Sequence, residues 1–144
     1  MIEQDTIKLL RECDAGVKMG VSAIEDVLGY VHDGELEQKL QTSRREHVAL
    51  AGQIEAELNR FRDVGKDPNP IAAKMSWIKT NAELMMNGTD QTVASLMTDG
   101  CNMGVKSLNR YLNEYKAADE QSKDIAKRLI HLEEQLTGDM RAYL

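Results

Sequence analysis

A chain of 144 residues is long enough to bury a hydrophobic core as one domain without the help of a metal ion or a disulfide. Its formal net charge is −6, and its basic residues are scattered among acidic ones. We therefore expect neither nucleic acid nor an anionic membrane as a partner, because both require a concentrated basic surface.

The composition also predicts a cytoplasmic protein. The first residues carry acidic side chains where an export signal would need an apolar segment, and no apolar run reaches the roughly 18 residues of a membrane span. In that compartment the only two cysteines, Cys13 and Cys101, are expected to be free thiols, with a single disulfide between them as the alternative.

The pattern of turns predicts an all-α fold. Proline occurs only at positions 68 and 70, and strand-type alternation is absent. Turn residues occur in "HDGE" (32–35), "DVGKDPNP" (63–70) and "NGTD" (87–90), whereas the last break, "KAADE" (116–120), has neither Gly nor Pro. These breaks predict four long helices, at about 5–31, 35–63, 90–115 and 119–142, and a shorter fifth helix at about 70–86.

The connection between the second and third long helices is long enough to travel the whole length of a bundle. We therefore expect two antiparallel hairpins joined by a crossover that contains the short helix, with the second and third long helices running in the same direction. This is the ferritin-like four-helix bundle, and we predict that residues 1–144 form one such domain.

Two segments of the chain repeat each other. A shift of 84 positions superimposes "GVKMGVSAI" (16–24) on "GCNMGVKSL" (100–108), so the first helix resembles the third. A duplicated helical hairpin would leave this similarity, and chance likeness between two amphipathic helices is the alternative. Glycine inside a helix costs about 1 kcal/mol relative to alanine. We expect close approach of helix backbones, rather than a ligand, to offset this cost at Gly20 and Gly104.

The order of elements resembles a known group of proteins. With "AGVKMGVSAIEDVLGYVHDGELEQKL" leading through the first turn and "MTDGCNMGVKSLNRYLNEYKAAD" leading into the last, the chain resembles an uncharacterised family of bacterial ferritin-like four-helix-bundle proteins. The resemblance covers nearly the whole chain. It implies the ferritin-like fold and kinship with di-iron carboxylate proteins.

The metal ligands of a di-iron bundle are not found in the sequence. Such a site takes a Glu from each of two helices and a Glu-x-x-His from each of the other two. No histidine of this chain has a glutamate three positions before it. Helical periodicity places His47, Ser43, Cys101 and Cys13 on inward faces, with no certain carboxylate beside them. We therefore expect the di-iron site to be lost, with no cofactor bound and no catalytic residue.

Two interpretations of the inward polar residues follow. In the first, His47 is a neutral core imidazole hydrogen-bonded to Ser43 or Tyr115, and the protein is a non-enzymatic bundle with a structural or protein-interaction role. Its stability should then fall as the pH drops through about 6. In the second, a reduced metal-binding or redox site draws its ligands from His47, Cys101, Cys13, Asp14, Glu25 and Glu46.

The predicted crossover helix, "NPIAAKMSWIKTNAELMMNG", has apolar residues on two sides. One stripe must cover the bundle, and Trp77 and Leu84 lie on another side. A short helix of this kind meets a second subunit, or Trp77 lies over the rim of its own bundle. We expect a homo-oligomer, such as a dimer, in which Trp77 and Leu84 contact the partner's crossover helix.

Overall fold

The computed structural model describes residues 2–68, 84 and 86–144. Four α-helices lie within them: α1 (Ile2–Leu28), α2 (Gly34–Arg60), α3 (Asp90–Glu114) and α4 (Glu120–Met140), and a 3₁₀ turn over Arg141–Tyr143 follows α4. The predicted all-α bundle of four long helices is confirmed. In this part of the chain no helix combines the length and the apolar character needed to span a membrane. The predicted fifth helix falls largely on residues 69–83, outside the described residues.

Side-chain caps set where the helices begin. The carboxylate of Asp33 accepts the backbone N–H groups of Glu35 and Leu36, and Asp119 and Thr89 cap α4 and α3 in the same way. These caps satisfy N–H groups that a helix leaves without internal partners. Helix α2 ends about three residues earlier than predicted, because Arg62 adopts a left-handed backbone conformation with φ 56° that a helix cannot continue through.

The helices form two hairpins. Helix α1 packs along α2 and α3 packs along α4, while α1–α3 and α2–α4 contacts join the hairpins. The backbone N–H groups of His32 and Asp33, between α1 and α2, donate to the carboxylate of Asp90 at the start of α3. Helix α3 therefore begins where α1 ends, and α2 and α3 run in the same direction. Residues 61–89 accordingly connect opposite ends of the bundle.

The apolar core consists of two clusters separated along the bundle axis. One, which we call the first cluster, surrounds Leu10, Val17, Leu50 and Leu129, and the second surrounds Ile24, Leu36, Val93 and Leu136. Burying each aliphatic side chain contributes about 1.5 to 3 kcal/mol to folding before conformational entropy is subtracted. Each helix crosses from one cluster to the other near its middle, and the buried polar residues at this central level are Ser43, His47 and Glu133.

The two hairpins repeat each other in structure as well as in sequence. The N-cap residues Asp33 and Asp119 are 86 positions apart, and Thr6 and Asp90 are 84 positions apart. The backbone N–H of Asp33 donates to Asp90 over 3.1 Å, and the backbone N–H of Asp119 donates to Thr6 over 2.8 Å. The same bond is therefore made twice, each time from the turn of one hairpin to the first helix of the other. The paired bonds are what a duplicated hairpin would be expected to show.

Candidate functional site

The central level of the bundle contains a buried histidine and a buried carboxylate. His47, on α2, is 1 % exposed, and Glu133, on α4, is 8 % exposed. The imidazole Nε2 lies 3.3 Å from Glu133 Oε1. The prediction that this level holds no certain carboxylate is therefore wrong. Helical periodicity did not place Glu133 on an inward face, because the buried face of α4 is wider than a single apolar stripe.

The second imidazole nitrogen fixes how many protons the pair holds. Nδ1 lies 2.7 Å from the backbone carbonyl oxygen of Ser43 and 3.3 Å from the Ser43 hydroxyl. A carbonyl can only accept, so Nδ1 carries a hydrogen. A second proton must then lie between Nε2 and Oε1, since otherwise a lone pair would face a carboxylate. With that proton, the pair has no net charge.

This arrangement changes the expected acid response of His47. Burial lowers the pKa of the imidazole, but the hydrogen bond to Glu133, the bond to the Ser43 carbonyl and the negative charges of Glu133 and Glu46 outweigh burial, so the pKa is raised. A raised pKa means that the folded protein favours the protonated imidazole, which runs against the prediction that charging His47 destabilises the fold. Ser43 is the partner that we predicted, whereas Tyr115, at the end of α3, packs against the first cluster.

The repeated glycines border this pair. A Cβ built on Gly20 would lie 2.9 Å from Cδ2 and 3.1 Å from Nε2 of His47, and a Cβ on Gly104 would lie 3.6 Å from Cδ of Glu133. The expected close approach of two helix backbones does not account for these glycines. Each one leaves space for a polar side chain of the neighbouring helix in its own hairpin.

Both cysteines are free and buried. Burial raises the pKa of the Cys101 thiol, and the charge of Glu133 and a hydrogen bond to its carboxylate raise it further, against a small opposing effect of Thr137. Burial also raises the pKa of Cys13 to about 12, with contributions from the charges of Glu12 and Asp14. Neither residue is a thiolate near neutral pH, so neither is prepared for nucleophilic chemistry.

The other residues that we considered as metal ligands lie elsewhere. Cys13 belongs to the first cluster, Glu25 is paired with Arg44 at 2.9 Å near the surface, and Glu46 is exposed. Among the six candidates, only His47 and Cys101 adjoin the same group, the Glu133 carboxylate. Across residues 2–68, 84 and 86–144, no three His, Cys, Asp or Glu side chains are grouped so that they could hold a metal ion.

Asp14, the remaining candidate, has a structural role. Its buried carboxylate accepts the backbone N–H of Lys66 over 3.0 Å and pairs with Lys18 at 2.8 Å. Gly65 lies beside it in a left-handed conformation with φ 85°, and a Cβ at Gly65 would collide with Asp14 Oδ2. Lys18 also pairs with Asp67 at 3.1 Å. Asp14 therefore fixes the segment that follows α2 onto α1.

Of the two residues predicted to lie in a subunit interface, the structure describes Leu84 but not Trp77. Leu84 is 3 % exposed and packs in the second cluster beside Ile24 and Val93. Its own bundle covers it, so the assignment of Leu84 to a subunit interface is corrected. Trp77 lies outside the described residues.

The fold and the site together define the class of this protein: an all-α four-helix bundle of two similar hairpins, with a buried histidine–glutamate pair between them. Comparison with known protein families, with curated proteins and with solved structures finds no match for the chain. What the protein does must therefore be inferred from its own geometry.

Proposed function

We propose that this protein is a non-enzymatic ferritin-like bundle whose di-iron site has been replaced by the His47–Glu133 pair, and that its role is structural or protein-interacting. One observation carries the proposal: the polar groups at the centre of the bundle satisfy each other rather than converging on an empty position. The shared direction of α2 and α3, joined by a connection between opposite ends, supports the ferritin-like relationship.

The residues at the central level do not fit a di-iron centre. Such a centre needs carboxylates from all four helices and two histidines. Here α1 and α3 present Gly20 and Gly104 to the central level, while α2 and α4 present one imidazole and one carboxylate. Both nitrogens of His47 are engaged, and a single carboxylate cannot balance two divalent ions in a buried site. No metal chemistry is therefore assigned to this level.

An interaction role is supported by the chain beside the crossover. Leu84 is buried against the second cluster, whereas Met86, two residues later, is 88 % exposed. One side of the chain thus packs on the bundle there while the other side is open to solvent. The proposed partner is a second copy of the protein, with Trp77 of the crossover as the anchor of a homo-oligomer.

Elemental analysis tests the loss of the metal site. Protein expressed in medium supplemented with iron, manganese and zinc, and purified without chelators, should contain less than about a tenth of an equivalent of each metal. A His47→Ala variant serves as the matched control and should have the same metal content. About half an equivalent or more in the wild type, lost in His47→Ala, would overturn the proposal.

A further inference from the structure

The His47–Glu133 contact joins equivalent positions of the two hairpins. His47 lies 14 positions after the N-cap Asp33, and Glu133 lies 14 positions after the N-cap Asp119. The pair therefore joins a residue of the first hairpin to the corresponding residue of the second. It is one of the contacts between α2 and α4. Because the two members differ, the repeated structure is chemically asymmetric at this pair.

Every helix contributes to the surroundings of the pair. Helix α1 supplies Gly20, which carries no charge, and α3 supplies Gly104 and the protonated thiol of Cys101. On α2 the Ser43 carbonyl faces Nδ1, and the exposed Glu46 adds negative charge, while α4 adds Thr137. Among the described residues, neither a lysine nor an arginine pairs with Glu133. The proton shared with His47 is thus what neutralises this carboxylate.

We propose that the His47–Glu133 pair is a proton-dependent latch between the two hairpins, closed while a proton lies between Nε2 and Oε1 and released when that proton leaves to solvent. Loss of the proton leaves an imidazole lone pair facing a carboxylate at about the same separation, and a net negative charge between two apolar clusters. Burying an uncompensated charge is strongly unfavourable. The side chain of Glu133 is 10 % exposed, which leaves the proton a route to water.

The direction of the pH effect follows from the proton balance. The folded protein holds the His47 proton more tightly than the unfolded chain does, since the pKa of His47 is raised above its ordinary value. The latch then contributes its full stability below the unfolded pKa of about 6.5, and this contribution is lost as the pH rises through the folded pKa. The latch weakens as the pH rises, not as it falls.

Glu133→Gln is the matched variant for testing the latch. The side-chain amide that this substitution introduces can donate to Nε2 of a neutral His47, which keeps a hydrogen bond across the hairpins but removes the titrating carboxylate. Urea unfolding of both proteins is measured from about pH 6 to about pH 9, with a chelator present so that bound metal cannot alter the result. The unfolding equilibrium constant of the wild type should rise more over this range than that of Glu133→Gln, because only the wild type loses the shared proton.

Parallel pH profiles would overturn the latch. Since metal is chelated in this experiment, its outcome is distinct from that of the metal analysis. A metal-free protein with parallel profiles would exclude the latch alone, and a metal-containing protein would contradict the proposed function whatever its pH profile.

An exchange of the two residues keeps the proposal falsifiable if Glu133→Gln fails to fold. An imidazole at position 133 would find the helical carbonyl of Leu129 one turn earlier, as His47 finds that of Ser43, and Gly104 leaves open space beside that position. His47→Glu and Glu133→His should each lower the urea midpoint, and the double exchange should recover at least half of the summed loss. A double variant that loses as much as the two single variants together would overturn the latch.

Discussion

Gly20 on α1 lies against the imidazole ring of His47 on α2, so closely that a Cβ at position 20 would be 2.9 Å from Cδ2 of the ring. The ring cannot turn away easily, because the Ser43 carbonyl and Glu133 hold its two nitrogens. The equivalent glycine of the second hairpin, Gly104, has more room, with 3.6 Å to Cδ of Glu133. The two repeated glycines are therefore equivalent in sequence but not in the space around them.

Alanine at these two positions should have opposite effects. Both substitutions gain about 1 kcal/mol of helix propensity. Gly20→Ala also pushes its methyl group into a fixed buried ring, and we expect a net loss of about 1 to 3 kcal/mol in the free energy of unfolding. Gly104→Ala makes an ordinary contact and should be neutral or stabilising by up to about 1 kcal/mol. Urea denaturation of both variants measures the difference, and equal effects would contradict the assigned packing.

Alanine at Gly65 should destabilise the attachment of the segment after α2. The left-handed conformation of Gly65 disfavours any side chain, and a methyl group would meet the carboxylate of Asp14. We expect a loss of about 1 to 3 kcal/mol in the free energy of unfolding. Gly52, in the middle of α2 with open space around it, is the control. Gly52→Ala should gain up to about 1 kcal/mol, and a stabilising Gly65→Ala would refute the anchoring role of Asp14.

Removing the hydroxyl of Ser122 should stabilise the protein. Its Oγ is buried and finds no hydrogen-bond partner among the residues that the structure describes. The equivalent position in the first hairpin, 86 residues earlier, is the buried Leu36. We expect Ser122→Ala to raise the free energy of unfolding by about 1 kcal/mol, because an unsatisfied buried polar group is removed. Ser95→Ala, at an exposed position of α3, should change it by less than about 0.5 kcal/mol. A loss on Ser122→Ala would reveal an unrecognised partner of the hydroxyl.

Trp77→Ala should shift the protein towards monomer if the proposed oligomer forms through the crossover. An aromatic anchor of this kind contributes about 2 kcal/mol per side. Sedimentation velocity of the wild type and the variant, at concentrations of tens of micromolar, measures the shift. Met103→Ala is the control, because this exposed methionine lies on α3 outside the proposed interface. A wild type that is already monomeric under these conditions would exclude the interface.

The architecture could be predicted from local sequence, but the central pair could not. Turn residues and N-caps define the four helices, and even the weakly marked last break contains its own cap in Asp119. Glu133 was missed because a buried glutamate looks like an exposed one until its partner is known, and that partner lies on another helix 86 positions away. One clue was present: His47 and Glu133 stand equally far after aspartates that can cap helices. The shift in the pKa of His47 depends on Glu133, so the direction of that shift could not be predicted from the sequence for the same reason.

The reciprocal bonds at the hairpin turns have a consequence for hydrogen exchange. The amide of Asp33 is held by Asp90 of the second hairpin, and the amide of Asp119 is held by Thr6 of the first. Neither amide has its acceptor within its own hairpin, so separation of the hairpins exposes both at once, even while the four helices stay wound. The amide hydrogens of Asp33 and Asp119 should therefore exchange with deuterium with the same free energy of opening. Their exchange measures separation of the two hairpins, independently of fraying at the helix ends.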